Sequence, residues 1–199
     1  MDALHDHHEY FAKRFAGLEH AGAALHGTQF EECDFTGCDF SGARFADCRF
    51  IDCRFDGCNL GLVNFEACQV RGITFTDCKV IGVNWTRASW PRLILAPPLI
   101  FRKCVLDDSS FFGLSLEEIV IEECKARDVD FREANLRGVN FSYSDVAHSL
   151  FGRTNLTGAD FTEATGYAID IFANEIKHAK FSRHEAIRLL DSLDIELID

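Results

Sequence analysis

From Phe30 onward a large apolar side chain recurs at every fifth position: Phe30, Phe35, Phe40, Phe45, Phe50, Phe55, Leu60, Phe65, Val70, Phe75, Val80, Trp85, Trp90 and Leu95. The frame then slips by one residue. It resumes at Phe101 and runs through Leu106, Phe111, Leu116, Ile121, Ala126, Phe131, Leu136, Phe141, Val146, Phe151 and Leu156 to Phe161, with echoes at Ile171, Ile176 and Phe181. Of the 19 phenylalanines, 16 lie in this frame when Phe15 is counted, which excludes chance. A second, smaller apolar site lies two residues before each large one. All nine cysteines fall there, alternating with Ala, Ser and Val, so this is an interior site of limited volume in which cysteine acts as a small hydrophobe. Between the two inward positions sits a polar residue such as Asp34, Asp39, Asn59, Asn64, Asp130 or Asn140, and glycine often follows two residues after the large one.

A period of five fits neither an amphipathic helix nor an alternating strand. A chain that turns two of every five residues inward must round a corner each time, and four sides close a square coil of twenty residues. Equivalent residues then stack at about 4.8 Å per coil, which predicts a rod roughly 35–40 Å long. Cys38, Cys58 and Cys78 fall in one stack, Cys33 and Cys53 in a second, and Cys104 and Cys124 in a third. The reading preferred is a reduced interior ladder and not a set of disulfides.

All three prolines lie at the mid-chain break, in Trp90-Pro91 and Ala96-Pro97-Pro98. Proline removes a ladder donor and constrains the residue before it, so a kink or bulge is expected there, and a cis bond would suit a tight corner. At the C-terminus, Ser182 with Glu185 three residues later forms a capping-box pattern. Ala186, Leu189, Leu190 and Leu193 follow as an apolar stripe at helical spacing, which must cover the last coil, a second subunit, or both. Before the frame begins, Tyr10, Phe11, Phe15 and Leu18 suggest a short amphipathic helix capping the first coil. The organisation expected is a cap segment over 1–24, the repeat coil over 25–181 with a break at 91–100, and a helix and tail over 182–199.

The chain of 199 residues carries 32 acidic and 20 basic side chains, a net charge of -12. Such a balance argues against direct nucleic-acid binding, which needs a basic face to neutralise phosphates. The C-terminal half holds more of it: residues 1–100 sum to -4 and residues 101–199 to -8. The candidate partner-binding residues are therefore Asp107, Asp108, Glu117, Glu118, Glu122, Glu123, Asp128 and Glu133. No apolar run is long enough to span a membrane and the first twenty residues lack a signal-peptide core, so a cytoplasmic location is expected. No phosphate loop, dinucleotide fingerprint or metalloprotease motif occurs. His5, His7 and His8 read as a solvated terminus, and cysteines spaced by five do not match a zinc site. No metal, cofactor or catalytic residue is expected.

These repeats resemble the pentapeptide-repeat family over about residues 25–181, and the resemblance implies a right-handed quadrilateral β-helix, an all-β solenoid, with a short C-terminal helix. The rod near 200 residues, the mid-chain break and the tail from Ile169 to Leu197 are most similar to its topoisomerase-protecting members, the albicidin- and quinolone-resistance proteins. That resemblance implies a homodimer formed through the C-terminal end, here through Ala186, Leu189, Leu190, Leu193, Ile195 and Leu197. It further implies an acidic rod that resembles B-form DNA and occupies the DNA-binding saddle of DNA gyrase or topoisomerase IV. Quinolone-resistance members of Gram-negative bacteria carry loop insertions between coils. The single-residue slip between Leu95 and Phe101 departs from that pattern and weakens the transfer of quinolone protection in particular. The competing reading is a scaffolding repeat protein with a different protein partner.

Overall fold

In a computed structural model of the protein, residues 4–90, 97–196 and 198 are described. The chain winds as a four-sided solenoid whose strands pair in parallel with the coil above and the coil below. The first face stacks Glu9–Phe11, Gln29–Glu31, Arg49–Ile51 and Gln69–Arg71, and the second runs from Arg14–Ala16 through Asp34–Thr36, Arg54–Asp56, Ile73–Thr76 and Leu99–Arg102 to Val120–Glu122. The third is a column of single bridges, Glu19↔Asp39↔Asn59↔Lys79↔Val105↔Lys125↔Asp145↔Thr165. The fourth stacks Ala24–His26, Arg44–Ala46 and Asn64–Glu66, then continues as the bridges Asn84↔Ser110↔Asp130↔Leu150.

The interior is filled by stacked rings. On the second face Phe15, Phe35, Phe55, Phe75 and Phe101 lie 4.6–5.1 Å apart between centroids and within 18° of parallel. Ile121 interrupts that column, which resumes as Phe141, Phe161 and Phe181. On the fourth face Phe45, Phe65, Trp85, Phe111, Phe131 and Phe151 form a second column. Rings on adjacent faces meet edge-on, as Phe35 does with Phe40, so each ring has a stacked neighbour along the axis and tilted neighbours across it.

The small site explains itself through its polar atom. At Cys38, Cys58 and Cys104 the backbone amide donates to the thiol one coil on, Cys58, Cys78 and Cys124, at 3.3–3.4 Å. The Cys124 amide donates to Ser144 Oγ at 2.9 Å, so a hydroxyl does the same work. Cys58 and Ser144 also donate to a carbonyl of the coil before, to Phe35 at 3.4 Å and to Ile121 at 2.8 Å, whereas the Cys124 thiol donates to Glu122 two residues back at 3.1 Å. Where the small site of the next coil is Ala or Val and offers no acceptor, the corner tightens instead. The amides of Ala43, Val63, Val139 and Ala159 donate three residues back, to Phe40, Leu60, Leu136 and Leu156, at 2.9–3.2 Å. Cysteine is therefore both a volume choice and an amide acceptor in an interior that water does not reach. All nine cysteines are buried free thiols. A neighbouring thiol raises Cys78 and Cys104, and burial adds to it, so that both are pushed up to about 12.

The corner residue two places after the large one generally has positive φ whether or not it is glycine, from Ala12 (49°) through Asp52 (52°) and Asp108 (60°) to Glu163 (55°); Arg87, in the 3₁₀ turn Trp85–Arg87, is an exception. Gly166 is a position where only glycine fits: an added Cβ would stand 2.9 Å from Ala147 Cα.

Outward side chains stack as strictly as inward ones, and they alternate in charge. Asp34 lies between Arg14 and Arg54 on the second face. Arg102 meets Glu122 at 3.0 Å, Lys180 meets Asp160 at 2.9 Å, and Arg127 Nε donates to Asp145 at 2.7 Å. Asp130 is held below the usual carboxylate range chiefly by Arg132. Burial pushes Asp145 and Asp160 up, but Arg127 and the Ala147 amide at the first, and Thr162 and Lys180 at the second, outweigh it and leave both depressed.

Four expectations change. The N-terminal segment is not a capping helix: Glu9–Phe11 and Arg14–Ala16 are strands that pair with Gln29–Glu31 and Asp34–Thr36, so the coil begins well before residue 25. Tyr10 and Phe15 are five apart and obey the coil frame, whereas Phe11, counted as inward in the helical reading, is 61% exposed. The mid-chain slip is not one residue. Ile73 pairs with Leu99 and Phe75 with Phe101, a register of 26, so six residues are added to a twenty-residue coil. Counted in fives, six and one are indistinguishable. Leu95 and the Trp90-Pro91 and Ala96-Pro97 bonds lie at or beyond the limits of the described residues, among which no cis peptide bond occurs. Finally, the terminal helix is a 3₁₀ helix over Ala186–Leu193, and Ser182 does not cap it. Its Oγ donates to Glu163 Oε1 and accepts from the Glu163 amide, both at 2.8 Å, while Glu185 binds Arg188 at 2.7 Å.

Two outcomes test this packing. Cys58→Ala, which strands the Cys38 amide, lowers stability by about 1–3 kcal/mol, whereas Cys58→Ser costs less because serine already fills this role at 144; denaturant melts of the two variants check the order. The depressed carboxylates Asp130, Asp145 and Asp160 contribute stability above their unfolded value near pH 3.9 and lose it as pH falls through their lower folded values. Thermal melts therefore stay level between pH 7 and 5 and drop below pH 4, with a smaller drop in Asp145→Asn.

Candidate protein-interaction surface

A rod packed solid with aromatic rings offers its outside for recognition, and the corners project furthest. Asp108, Glu118, Glu123, Asp128 and Glu133 all occupy left-handed corner positions, with φ between 53° and 61°. Asp107, Glu117 and Glu122 precede three of them in the chain. The fold puts these carboxylates at the rod's edges because the corner residues have no inward direction available.

The eight acidic residues do not share one face. Four sides make a coil, so Asp107–Asp108 and Asp128, twenty residues apart, stack along one edge in the register of Val105↔Lys125. Glu117–Glu118 falls on the edge diagonally opposite, and Glu122–Glu123 and Glu133 on the remaining two. Three of the eight are ion-paired with the adjacent coil: Glu122 with Arg102, Glu123 with Lys103 at 4.0 Å, and Glu133 with Arg153. Glu117 accepts a hydrogen bond from Asn135 Nδ2 at 3.0 Å.

The edge that gathers negative charge is the one bearing Asp107, Asp108 and Asp128, to which the structure adds Asp145, absent from the sequence candidates. Arg127 stands among them, and Lys125 pairs with Asp145 in the third-face column; the Arg127 amide donates to Asp107 Oδ1 at 3.0 Å and its guanidinium to Asp145. These carboxylates raise the Arg127 pKa further, Asp145 most. Asp145 is twenty residues from Lys125 in the third-face column and reaches this edge through Arg127, so counting in twenties from Asp108 and Asp128 leads to His148 and not to it.

Of the six residues expected at the C-terminal interface, Ala186, Leu189 and Leu190 are half-buried, with Leu189 packed against the end of the core. Leu193 and Ile195 are exposed, Leu197 lies outside the described residues, and Ile187, not among the six, is 53% exposed. The helix thus covers the last coil with one side and keeps apolar side chains on the other. At the opposite end His7 and His26 meet edge-on at 5.0 Å and His8 lies over Tyr10. Among the described residues no three His, Cys, Asp or Glu side chains are grouped to hold a metal ion, and no helix is long and apolar enough to cross a membrane.

This geometry has counterparts among solved structures. A trypsin-treated variant of QnrB1, a plasmid-mediated fluoroquinolone resistance protein, superposes with a TM-score of 0.63 at 21% identity, covering 96% of this chain and all of that one. Full-length QnrB1 gives a TM-score of 0.60 at 22% identity over 94% of this chain and 100% of its own. A search of curated proteins found no match. The family model for the pentapeptide repeat region matches residues 28–97 and 98–161, two segments that meet where the 26-residue register interrupts the coil. By that match the chain belongs to the pentapeptide-repeat family.

Proposed function

We propose that this protein is a non-catalytic DNA mimic that binds DNA gyrase or topoisomerase IV and protects it from a poison such as a quinolone or albicidin. The observation that carries the reading is the filled acidic rod, alike in shape along 96% of the chain to a fluoroquinolone resistance protein. A solid interior leaves the outer surface as the working part, and a net charge of -12 draws it toward a cleft built for DNA. The 26-residue register removes one objection to a quinolone role, because the repeat is interrupted by six residues and not by one. The edge of Asp107, Asp108, Asp128 and Asp145 is the surface assigned to the enzyme. The exposed side of the C-terminal helix, with Leu193 and Ile195, is assigned to a second copy of the chain.

A scaffolding role with another protein partner is favoured by one observation. Several charges on the outer faces are paired from coil to coil and the acidic candidates are divided among all four edges, so no single face presents a continuous acidic surface.

Purified protein is expected to restore gyrase supercoiling in the presence of a quinolone or albicidin; no rescue and no inhibition at high concentration would leave the scaffold. Neutralising one edge with Asp107→Asn, Asp108→Asn and Asp128→Asn, which keeps residues tolerant of a left-handed corner, weakens protection several-fold, most at low salt. Melts confirm that the variant folds. Leu193→Asp with Ile195→Asp converts a dimer into a monomer in light scattering while leaving the coil's circular dichroism unchanged.

A further inference from the structure

One concave site on this acidic rod carries the opposite charge. It lies where the chain leaves the first face: the bridge Gln69↔Ser89 is the last pairing before Trp90, and the ladder is next joined at Leu99 on the second face. The cavity measures about 320 Å³, within the range of small-molecule sites. Its floor is apolar, made of Ile51 and Val70. One wall is the indole of Trp90, which is in frame for the interior but only half-buried, and is fixed by a 3.0 Å hydrogen bond from Nε1 to the Trp85 carbonyl. The rim carries two guanidiniums, Arg49 and Arg71, from successive coils.

Both arginines keep donors to spare. Arg49 Nη1 donates to the neutral amide of Gln29 at 3.1 Å, and Arg71 Nη2 is ion-paired with Asp52 at 3.6 Å, a separation beyond hydrogen-bond length. Each guanidinium presents five N–H groups in a planar fork that matches a carboxylate in pairs. Together the site combines a flat aromatic wall, an apolar floor and a bidentate anion clamp.

We propose that this cavity binds a small planar aromatic carboxylate, its ring against Trp90 and its carboxylate between Arg49 and Arg71. The site stands apart from the acidic edge and does not depend on the topoisomerase reading. Wall and clamp impose different demands: an uncharged ring loses the clamp, and a non-planar anion loses the wall and floor.

The full chain is titrated by calorimetry with 2-naphthoate, 2-naphthamide and inorganic phosphate. Saturable one-to-one binding of 2-naphthoate is expected, at least tenfold tighter than either comparator. Arg49→Ala with Arg71→Ala weakens it at least tenfold. Both side chains are exposed, and thermal melts verify that the variant is folded. Because the chain has two tryptophans and Trp85 is fully buried, the indole N–H resonance of Trp90, assigned with Trp90→Phe, shifts on binding. Absence of saturable binding, equal affinity for 2-naphthamide, or unchanged affinity in the folded double-arginine variant overturns the proposal.

Discussion

Within the coil, side chains are stacked on those one coil away, at the spacing of neighbouring strands in a sheet. The rest of the structure follows from that constraint. Stacking makes a column of phenylalanines favourable, because rings at 4.6–5.1 Å pack face to face along the axis and edge-on across it. It makes cysteine useful, because a thiol accepts from an amide and donates to a carbonyl of the coil before it, as Cys58 does with Cys38 and Phe35. It also penalises like charges placed one above another, since carboxylates about 5 Å apart repel.

That last consequence bears on function. Along a face the chain alternates Arg14, Asp34 and Arg54, or sets Arg102 against Glu122, and the pairs cancel. Negative charge accumulates where side chains splay outward, at corners such as the one bearing Asp107, Asp108 and Asp128. It is as such a rod, with charge gathered at corners, that the proposed function has the protein stand in for DNA. The paired faces carry little net charge, and the proposed function assigns the under-compensated edge to recognition. In its cavity at the Trp90 junction the protein departs from both patterns, with arginines left over where the coil is interrupted.

Much of this was legible in the order of residues. The five-residue frame predicts four sides, and the small site predicts buried, reduced cysteines, because both record volume in a tightly packed interior. Legibility fails where two periods coincide. Tyr10 and Phe15 satisfied a helix as well as a coil, and pairing with the next coil decided for the coil. The slip before Phe101 is one residue in fives but six in the register of whole coils. Ser182 and Glu185 have the spacing of a capping box, but Glu163, one coil back, claims the serine. The acidic candidates read as one zone because they are close in sequence, yet Asp108 and Glu118 are two corners apart and Asp108 and Asp128 share an edge. Neighbourhood here is counted in twenties.

The central claim is that the rod takes the place of DNA on a type II topoisomerase. Competition measured by fluorescence anisotropy tests it most directly, with a labelled duplex bound to purified gyrase and this protein as titrant at two salt concentrations. The account predicts that the duplex is displaced, that displacement weakens as salt rises, and that protein and duplex never occupy the same site together. A ternary complex in which both remain bound, or anisotropy that does not change at saturating protein, would contradict it.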